Sequence, residues 1–192
     1  MDIEFYGVRG GHPEPEANTV RYGGRTTCIQ LRSATGKPYL IDAGNGIIPA
    51  GRDLIRGYGT QGSIDIFVTH LHRDHIEGFP FFKPAYSPGW KIHFHGGHTT
   101  LVDELHRMPE TTGALKGKNK KKQEKRTVRE ALTTLQSPDQ GFFPVGIDGL
   151  PSRLFFHEIR EQKPLNFENG AVLVTPLYHT LHPQNMWAYR ID

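Results

Sequence analysis

The chain has 192 residues, 36% of them hydrophobic and 22% charged, proportions that indicate one soluble globular domain and exclude a disordered or fibrous protein. Cys28 is the single cysteine, which excludes a disulfide bond within the chain and a zinc site built from cysteines. The first residues lack the pattern of a signal peptide, and no stretch reaches the roughly 20 apolar residues of a membrane span. We therefore expect a cytoplasmic protein without a membrane partner.

Short elements of both types follow one another along the chain. In the first half, apolar runs predict strands at 2–8, 26–31 and 39–42, a helix at 47–55, and strands at 63–69 and 90–95. In the second half, helices are predicted at 101–107 and 127–135, followed by strands at 154–159, 171–176 and 186–191. Pro49 and Gly51 weaken the first helix. With neither a repeat nor a linker in this series, residues 1–192 are predicted to form a single domain.

Positive charge is concentrated in one segment. Between Lys116 and Arg126 the sequence KGKNKKKQEKR holds seven basic residues and one acidic residue, whereas the whole chain has a net charge of only +3. We interpret it as a basic insertion at about 108–127. A solvated surface loop is the simplest reading of such a run, and the alternative is an arm that attracts polyanions. Because the segment has no aromatic residue, nucleic-acid binding by it would be weak and indifferent to base sequence.

A cluster of candidate metal ligands directly follows the apolar run at 63–69. It reads His70-Leu71-His72-Arg73-Asp74-His75, so three imidazoles and one carboxylate lie within six residues. Imidazole and carboxylate donors suit Zn²⁺, and also Mn²⁺ or Fe²⁺, and their close spacing costs little loop-closure entropy when they converge. The plain alternative is a solvated turn rich in histidine. Chance seldom places such a motif directly behind a buried strand, so we predict a metal centre.

The motif resembles the HxHxDH signature of the metallo-β-lactamase superfamily. Four further segments resemble its branch of uncharacterised metal-dependent hydrolases related to RNase Z-like and PhnP-type phosphodiesterases: FYGVRGG at 5–11, RYGG at 21–24, LIDAG at 40–44 and GFPFF at 78–82. Gly11 and Arg25 depart from that branch, which has serine and asparagine there. The resemblance implies an α+β four-layer αβ/βα sandwich. It also implies two metal ligands beyond residue 192, so we expect the fold to be incomplete at its C-terminus.

The same resemblance implies a role for each residue of the motif. His70 and His72 would bind a first metal ion, and Asp74 and His75 would bind a second. Asp42 would orient the motif loop from behind these ligands, although an aspartate before glycine is also an ordinary turn residue. One or two ions are expected, zinc first, with Mn²⁺ or Fe²⁺ as alternatives.

Two histidines near the C-terminus compete for the place of a third ligand to the first ion. His182 is followed by proline and then, several residues later, by the segment YRI, which is the spacing of the family. We therefore choose His182 as the ligand. His179 is the fallback ligand and otherwise a supporting or surface histidine.

The implied activity is hydrolysis of a phosphodiester, in a small molecule or a nucleic acid, by a metal-activated water. Asp74 would be the catalytic residue that orients this water or accepts its proton. A different class of function also fits, because the second ion has only two predicted ligands: a catalytically impaired, metal-stabilised domain that binds a nucleotide or a partner. An unpaired sheet edge in such a domain would favour a homo-oligomer.

Other histidines form looser groups. His93 and His95 lie two residues apart on a predicted strand and so share one face, with His98 nearby. Because no carboxylate in this segment completes a ligand set, we expect these three histidines to have packing or surface roles. His157 has no partner that the sequence identifies.

Overall fold

A computed structural model of the protein describes residues 1–100, 125–141, 143–180 and 185–192. Its strands are β1 Asp2–Gly7, β2 Cys28–Arg32, β3 Pro38–Ile41, β4 Gln61–Phe67, β5 Gly89–Gly96, β6 Thr99–Thr100, β7 Lys125–Arg126, β8 Arg153–Glu158, β9 Leu165–Phe167, β10 Val172–His179 and β11 Met186–Ile191. Its α-helices are α1 Ile47–Tyr58 and α2 Val128–Leu135. Within these ranges, no helix is both long and apolar enough to cross a membrane.

Two sheets organise the described part of the chain. The larger sheet has the order β1-β2-β3-β4-β5-β8, and the smaller has the order β11-β10-β9. The first three strands of the larger sheet pair antiparallel, and β3, β4, β5 and β8 pair parallel. The parallel strands therefore end at one edge of the sheet, where the loops that follow β3, β4 and β5 meet.

The central strand β4 has different neighbours on its two faces, as the alternation of side chains requires. Ile64 and Ile66 belong to the core cluster that also contains residues of α1 and α2. Phe67 instead packs with Val172 and Val174 of the smaller sheet. The described residues thus stack in three layers, with helices on one face of the larger sheet and the smaller sheet on the other.

Most predicted elements are present with small shifts at their ends. Helix α1 runs to Tyr58, beyond the predicted end at residue 55. Pro49 is tolerated because it lies in the first turn. A residue larger than glycine would clash at position 51, because a Cβ there would lie 2.6 Å from the Phe82 ring. Strand β9 was not predicted, since three residues are too few for a pattern.

Two predictions concern residues that the structure does not describe. The predicted helix at 101–107 and most of the basic segment lie outside the described ranges. Only Lys125 and Arg126 of that segment are described, and as β7 they pair with Thr100 and Thr99. The nucleic-acid binding expected of the segment therefore stays a prediction.

A buried ion pair lies on the face of β4 toward the smaller sheet. Asp65 accepts a hydrogen bond from Lys37 Nζ at 2.9 Å, and its other carboxylate oxygen lies 2.8 Å from His95 Nε2. Burial alone would raise the pKa of Asp65, but the hydrogen bonds to His95 and Lys37 outweigh it and hold the pKa below its usual range. The folded state therefore favours the ionised carboxylate.

Acid should remove this stabilisation in a defined window. Because the folded-state pKa is depressed, the contribution is complete above the unfolded pKa of about 3.9 and is lost as the pH falls through the folded value. We expect the free energy of unfolding of the wild type to exceed that of Asp65→Asn by a constant amount between pH 5 and 7, and this margin to shrink below about pH 4. Urea titrations at each pH measure it. If this difference in free energy of unfolding already disappeared near pH 6, the group that titrates would be a histidine and not Asp65.

Candidate metal centre

The motif loop begins where β4 ends, at the edge shared by the parallel strands. His70 and His72 lie just after the strand, His72 with an extended backbone, and residues Arg73–His75 form one turn of 3-10 helix. The carbonyl of His75 accepts a hydrogen bond from the amide of Ala43 at 2.7 Å. The loop after β3 therefore holds the loop after β4 through its backbone.

The first predicted pair of ligands is brought together. His70 Nε2 and His72 Nδ1 lie 2.9 Å apart, and His70 is only 4% exposed. Two nitrogens bound to a tetrahedral zinc ion at about 2.0–2.1 Å stand about 3.3 Å from each other. An opening of a few tenths of an ångström would therefore admit an ion between these atoms.

The second predicted pair also converges. His75 Nε2 lies 3.4 Å from Asp74 Oδ2, a separation that matches two donors on one tetrahedral ion. The same oxygen of Asp74 accepts a hydrogen bond from the amide of Gly11 at 2.8 Å. The glycine loop after β1 thus fixes the Asp74 carboxylate across 63 positions of sequence.

Asp42 takes the place predicted for a residue that orients the loop. It is 1% exposed, and its φ of 63° puts the backbone in the left-handed region that aspartate tolerates better than most residues. Its carboxylate accepts hydrogen bonds from the amide and hydroxyl of Thr69 and lies 2.7 Å from His75 Nδ1. This contact at Nδ1 directs Nε2 of His75 toward Asp74.

The pKa of His75 follows from this contact. Burial by itself would lower the pKa, but the hydrogen bond to Asp42 and the charges of Asp42 and Asp74 raise it above the usual value. A histidine so placed is a stronger base and therefore a stronger donor toward a cation, the effect that carboxylate partners have on metal-binding imidazoles.

Two supporting residues were missed by the sequence reasoning. Thr69 Oγ1 lies 3.0 Å from His70 Nδ1 as well as contacting Asp42, so one hydroxyl joins the two. Glu77 accepts hydrogen bonds from Asn45 and from Thr26 in two neighbouring loops. The only sequence signal for Thr69 was its place directly before the motif. Glu77 gave none for these contacts, because Asn45 and Thr26 are distant from it in sequence.

The C-terminal candidates are only partly described. His179 is the last residue of β10 and pairs with Met186 across the hairpin, whereas His182 lies outside the described residues. The amide of Trp187 donates to the carbonyl of Thr69 at 2.7 Å. The start of β11 therefore lies beside the motif loop, and the choice of His182 stays a prediction.

The candidate metal ligands of the motif loop form two separate pairs and not one complete set of ligands. Within the described ranges, no group of three or more His, Cys, Asp or Glu residues is arranged to hold a metal ion. Structural zinc sites have four ligands from the protein, and catalytic sites have three. The pairs at His70 and at His75 therefore have the donor chemistry of a metal centre, and each needs a further ligand from elsewhere.

Comparisons with known proteins extend these observations. No protein-family model matches the chain. A ribonuclease Z from Staphylococcus epidermidis is 33% identical over 81 residues, which are 42% of this chain and 24% of that protein. A diphosphatase from the PhnP family superposes with a TM-score of 0.52 at 14% identity, covering 99% of this chain and 62% of its own. Zn²⁺-bound PqqB from Methylobacterium extorquens gives a TM-score of 0.50 at 12% identity, covering 99% and 58%.

These matches identify the fold of the chain. The chain aligns along almost its whole length with the two solved structures, yet it spans less than two thirds of either. The superpositions confirm the predicted metallo-β-lactamase fold, although the described residues form three of its four predicted layers. The sequence match to ribonuclease Z agrees with the resemblance that the motifs carried. The chain therefore has the metallo-β-lactamase fold, and it is similar to ribonuclease Z in sequence over 81 residues and to a PhnP-family diphosphatase in structure.

Proposed function

We propose that the protein is a metal-dependent hydrolase that acts on phosphodiesters, with its centre at His70, His72, Asp74 and His75. The observation that carries the proposal is the convergence of two donor pairs, His70 with His72 and Asp74 with His75, in one loop. Related proteins include ribonuclease Z and a diphosphatase, and both names describe cleavage of phosphate bonds. A nucleic acid or a small phosphodiester is therefore the proposed class of substrate.

Each residue around such a centre has a distinct proposed role. When bound, a divalent ion such as Zn²⁺ lowers the pKa of its water and stabilises charge on a phosphoryl oxygen. We assign Asp74 to orienting the attacking water and accepting its proton. Gly11 donates its amide to one Asp74 oxygen and so fixes the direction in which the carboxylate faces. Asp42 holds His75 in place through Nδ1.

The glycine loop also leaves room for a substrate beside Asp74. Among the described residues, a Cβ added at Gly10 or at Gly11 would meet no atom within 4 Å. The backbone next to the catalytic carboxylate is therefore open to solvent. The Gly11 amide is bound to Asp74, so the Gly10 amide is the one that can donate to an anionic group. Arg9, at the start of this loop, is paired with Glu14, so the positive charge there is partly compensated.

A second class of function, a metal-stabilised binding domain without catalysis, is favoured by one observation. No three donors form a closed set among the residues that are described. Such a domain would bind metal and keep its fold but would not turn over a phosphodiester. Metal content and hydrolysis, measured on the same sample, separate the two functions.

The test uses bis(p-nitrophenyl) phosphate as substrate and zinc-loaded protein. We expect hydrolysis that a chelator abolishes and that zinc restores, and a loss of about 100-fold or more in kcat/KM for Asp74→Asn, within the range of a lost acid–base group. His98→Ala is the control, because His98 pairs with Glu158 outside this centre and should retain full activity. Bound zinc without chelator-sensitive hydrolysis would instead support the binding domain, and absence of bound zinc would contradict both.

A further inference from the structure

A second group of histidines lies on the face of the larger sheet toward the smaller one. Strands β5 and β8 pair in parallel with His93 opposite Phe155 and His95 opposite His157. The alternation of side chains puts all four rings on one face. The rings of His95 and His157 stack with their centroids 4.7 Å apart, and those of His93 and Phe155 stack at 4.6 Å.

Two of these imidazoles present nitrogens to each other. His93 Nδ1 and His157 Nε2 lie 3.0 Å apart in rings whose planes differ by only 13°, so the two nitrogens share a hydrogen bond. An ion that replaced the bridging proton would need them to open to about 3.3 Å, the separation of two nitrogens on a tetrahedral zinc ion. His93 is half-buried and His157 is exposed. The His157 ring can therefore turn slightly, and an ion can reach the pair together with water.

The protonation state of the pair suits a metal. Burial lowers the pKa of both His93 and His157, and the neighbouring His95 lowers it further. Lys37 and Lys91 act on His93 in the same direction, and Asp65 opposes them. Neutral imidazole, the form that binds metal ions, is therefore favoured near neutral pH. An ion would take the place of the proton between the two nitrogens, which moves to the other nitrogen of its own ring.

A buried polar layer lies behind the pair. His95 is 5% exposed and is held through Nε2 by the Asp65 carboxylate at 2.8 Å, while Lys37 binds the other carboxylate oxygen. Among the described residues, His95 Nδ1 is buried without a hydrogen-bond partner. The His157 ring thus stacks on an imidazole that a carboxylate fixes through one nitrogen and whose other nitrogen is unsatisfied, and leaving such a buried nitrogen unpaired costs free energy.

We propose that His93 Nδ1 and His157 Nε2 bind a divalent transition metal ion such as Zn²⁺, at a site separate from the centre around His70. The protein supplies two ligands, fewer than the three or four of catalytic and structural zinc sites, so water completes the coordination and the ion is held less tightly than in such sites. Such an ion would join β8, an edge strand of the larger sheet, to β5. The proposal does not depend on the hydrolase function, because neither histidine belongs to the motif loop.

The experiment first weakens the motif centre. A variant with His70→Ala and His75→Ala leaves one donor in each of its two pairs, and Zn²⁺ binding to this variant is measured by titration calorimetry. We expect about one remaining zinc ion per chain. Adding His157→Gln should weaken its binding at least tenfold, whereas adding His98→Ala should not. With Cu²⁺, which imidazole binds more tightly, electron paramagnetic resonance should show nitrogen coupling that His157→Gln reduces.

Three results would overturn the proposal. Zinc binding that is unchanged by His157→Gln would place the ion elsewhere. The absence of zinc binding in the motif variant would leave the pair as a plain hydrogen bond between strands. Copper spectra without loss of nitrogen coupling in His157→Gln would exclude the imidazole as a ligand. Circular dichroism checks that each variant folds, and His93→Gln replaces His157→Gln if the latter does not.

Discussion

Gly44→Ala should destabilise the protein by about 3 kcal/mol, the upper part of the usual range for overpacking, and should disrupt the metal centre at the same time. A Cβ at this position would lie 2.2 Å from the Asp74 carbonyl oxygen and 2.8 Å from the Thr27 amide nitrogen. Both atoms belong to the backbone and cannot turn aside. The loop after β3 must therefore separate from the motif loop or from the segment before β2.

A matched glycine in the same region of the sequence provides the control. Gly57 lies in the last turn of α1, and among the described residues no atom would approach an added Cβ there within 4 Å. Gly57→Ala should therefore stabilise the protein by about 0.5–1 kcal/mol through helix propensity. Urea unfolding measures both variants, and zinc titration follows the centre. Equal effects of the two substitutions would contradict a role for close packing at Gly44.

The contrast between these glycines shows what the sequence could predict. The segment from Asp42 to Gly44 was recognised as a glycine loop and as part of a family pattern. That Gly44 touches the Asp74 backbone follows only from the parallel pairing of β3 with β4, which brings two loops to one edge. Local patterns predict such elements well, whereas their close approach depends on tertiary structure.

In the candidate metal centre, too, some contacts could be predicted from the sequence and others depend on tertiary structure. The convergence of His70 with His72 was predictable because the residues are neighbours in sequence, and short loops close at little cost. The contact of Gly11 with Asp74 was not, because 63 positions separate them. His93 and His157 are 64 positions apart, so the sequence could not identify either as the partner of the other. The carboxylate thought to be absent near His95 is supplied by Asp65, from the adjacent strand.

Asp42→Ala is the second substitution with a large expected effect, a destabilisation of about 4 kcal/mol, since breaking a buried ionic contact costs about 3–5 kcal/mol. The carboxylate is buried and accepts hydrogen bonds from both the amide and the hydroxyl of Thr69. Its removal leaves these donors and His75 Nδ1 without their acceptor in a buried place. Alanine at a φ of 63° adds about 1 kcal/mol of backbone strain.

Asp42→Asn separates the role of the charge from that of the shape. Asparagine tolerates the left-handed backbone and keeps one oxygen for Thr69, so we expect a destabilisation of about 2 kcal/mol or less. It loses the negative charge that raises the pKa of His75, so zinc affinity should fall by about 10–100-fold, as for other partners of metal-binding histidines. Unfolding in urea and zinc titration measure the two effects separately.

Asp148→Ala is the surface control, because Asp148 pairs with Arg129 in an exposed position and its loss should change stability by less than about 1 kcal/mol. If Asp42→Asn weakened the fold as much as Asp42→Ala while leaving zinc affinity unchanged, Asp42 would support the turn alone and would have no part in orienting His75.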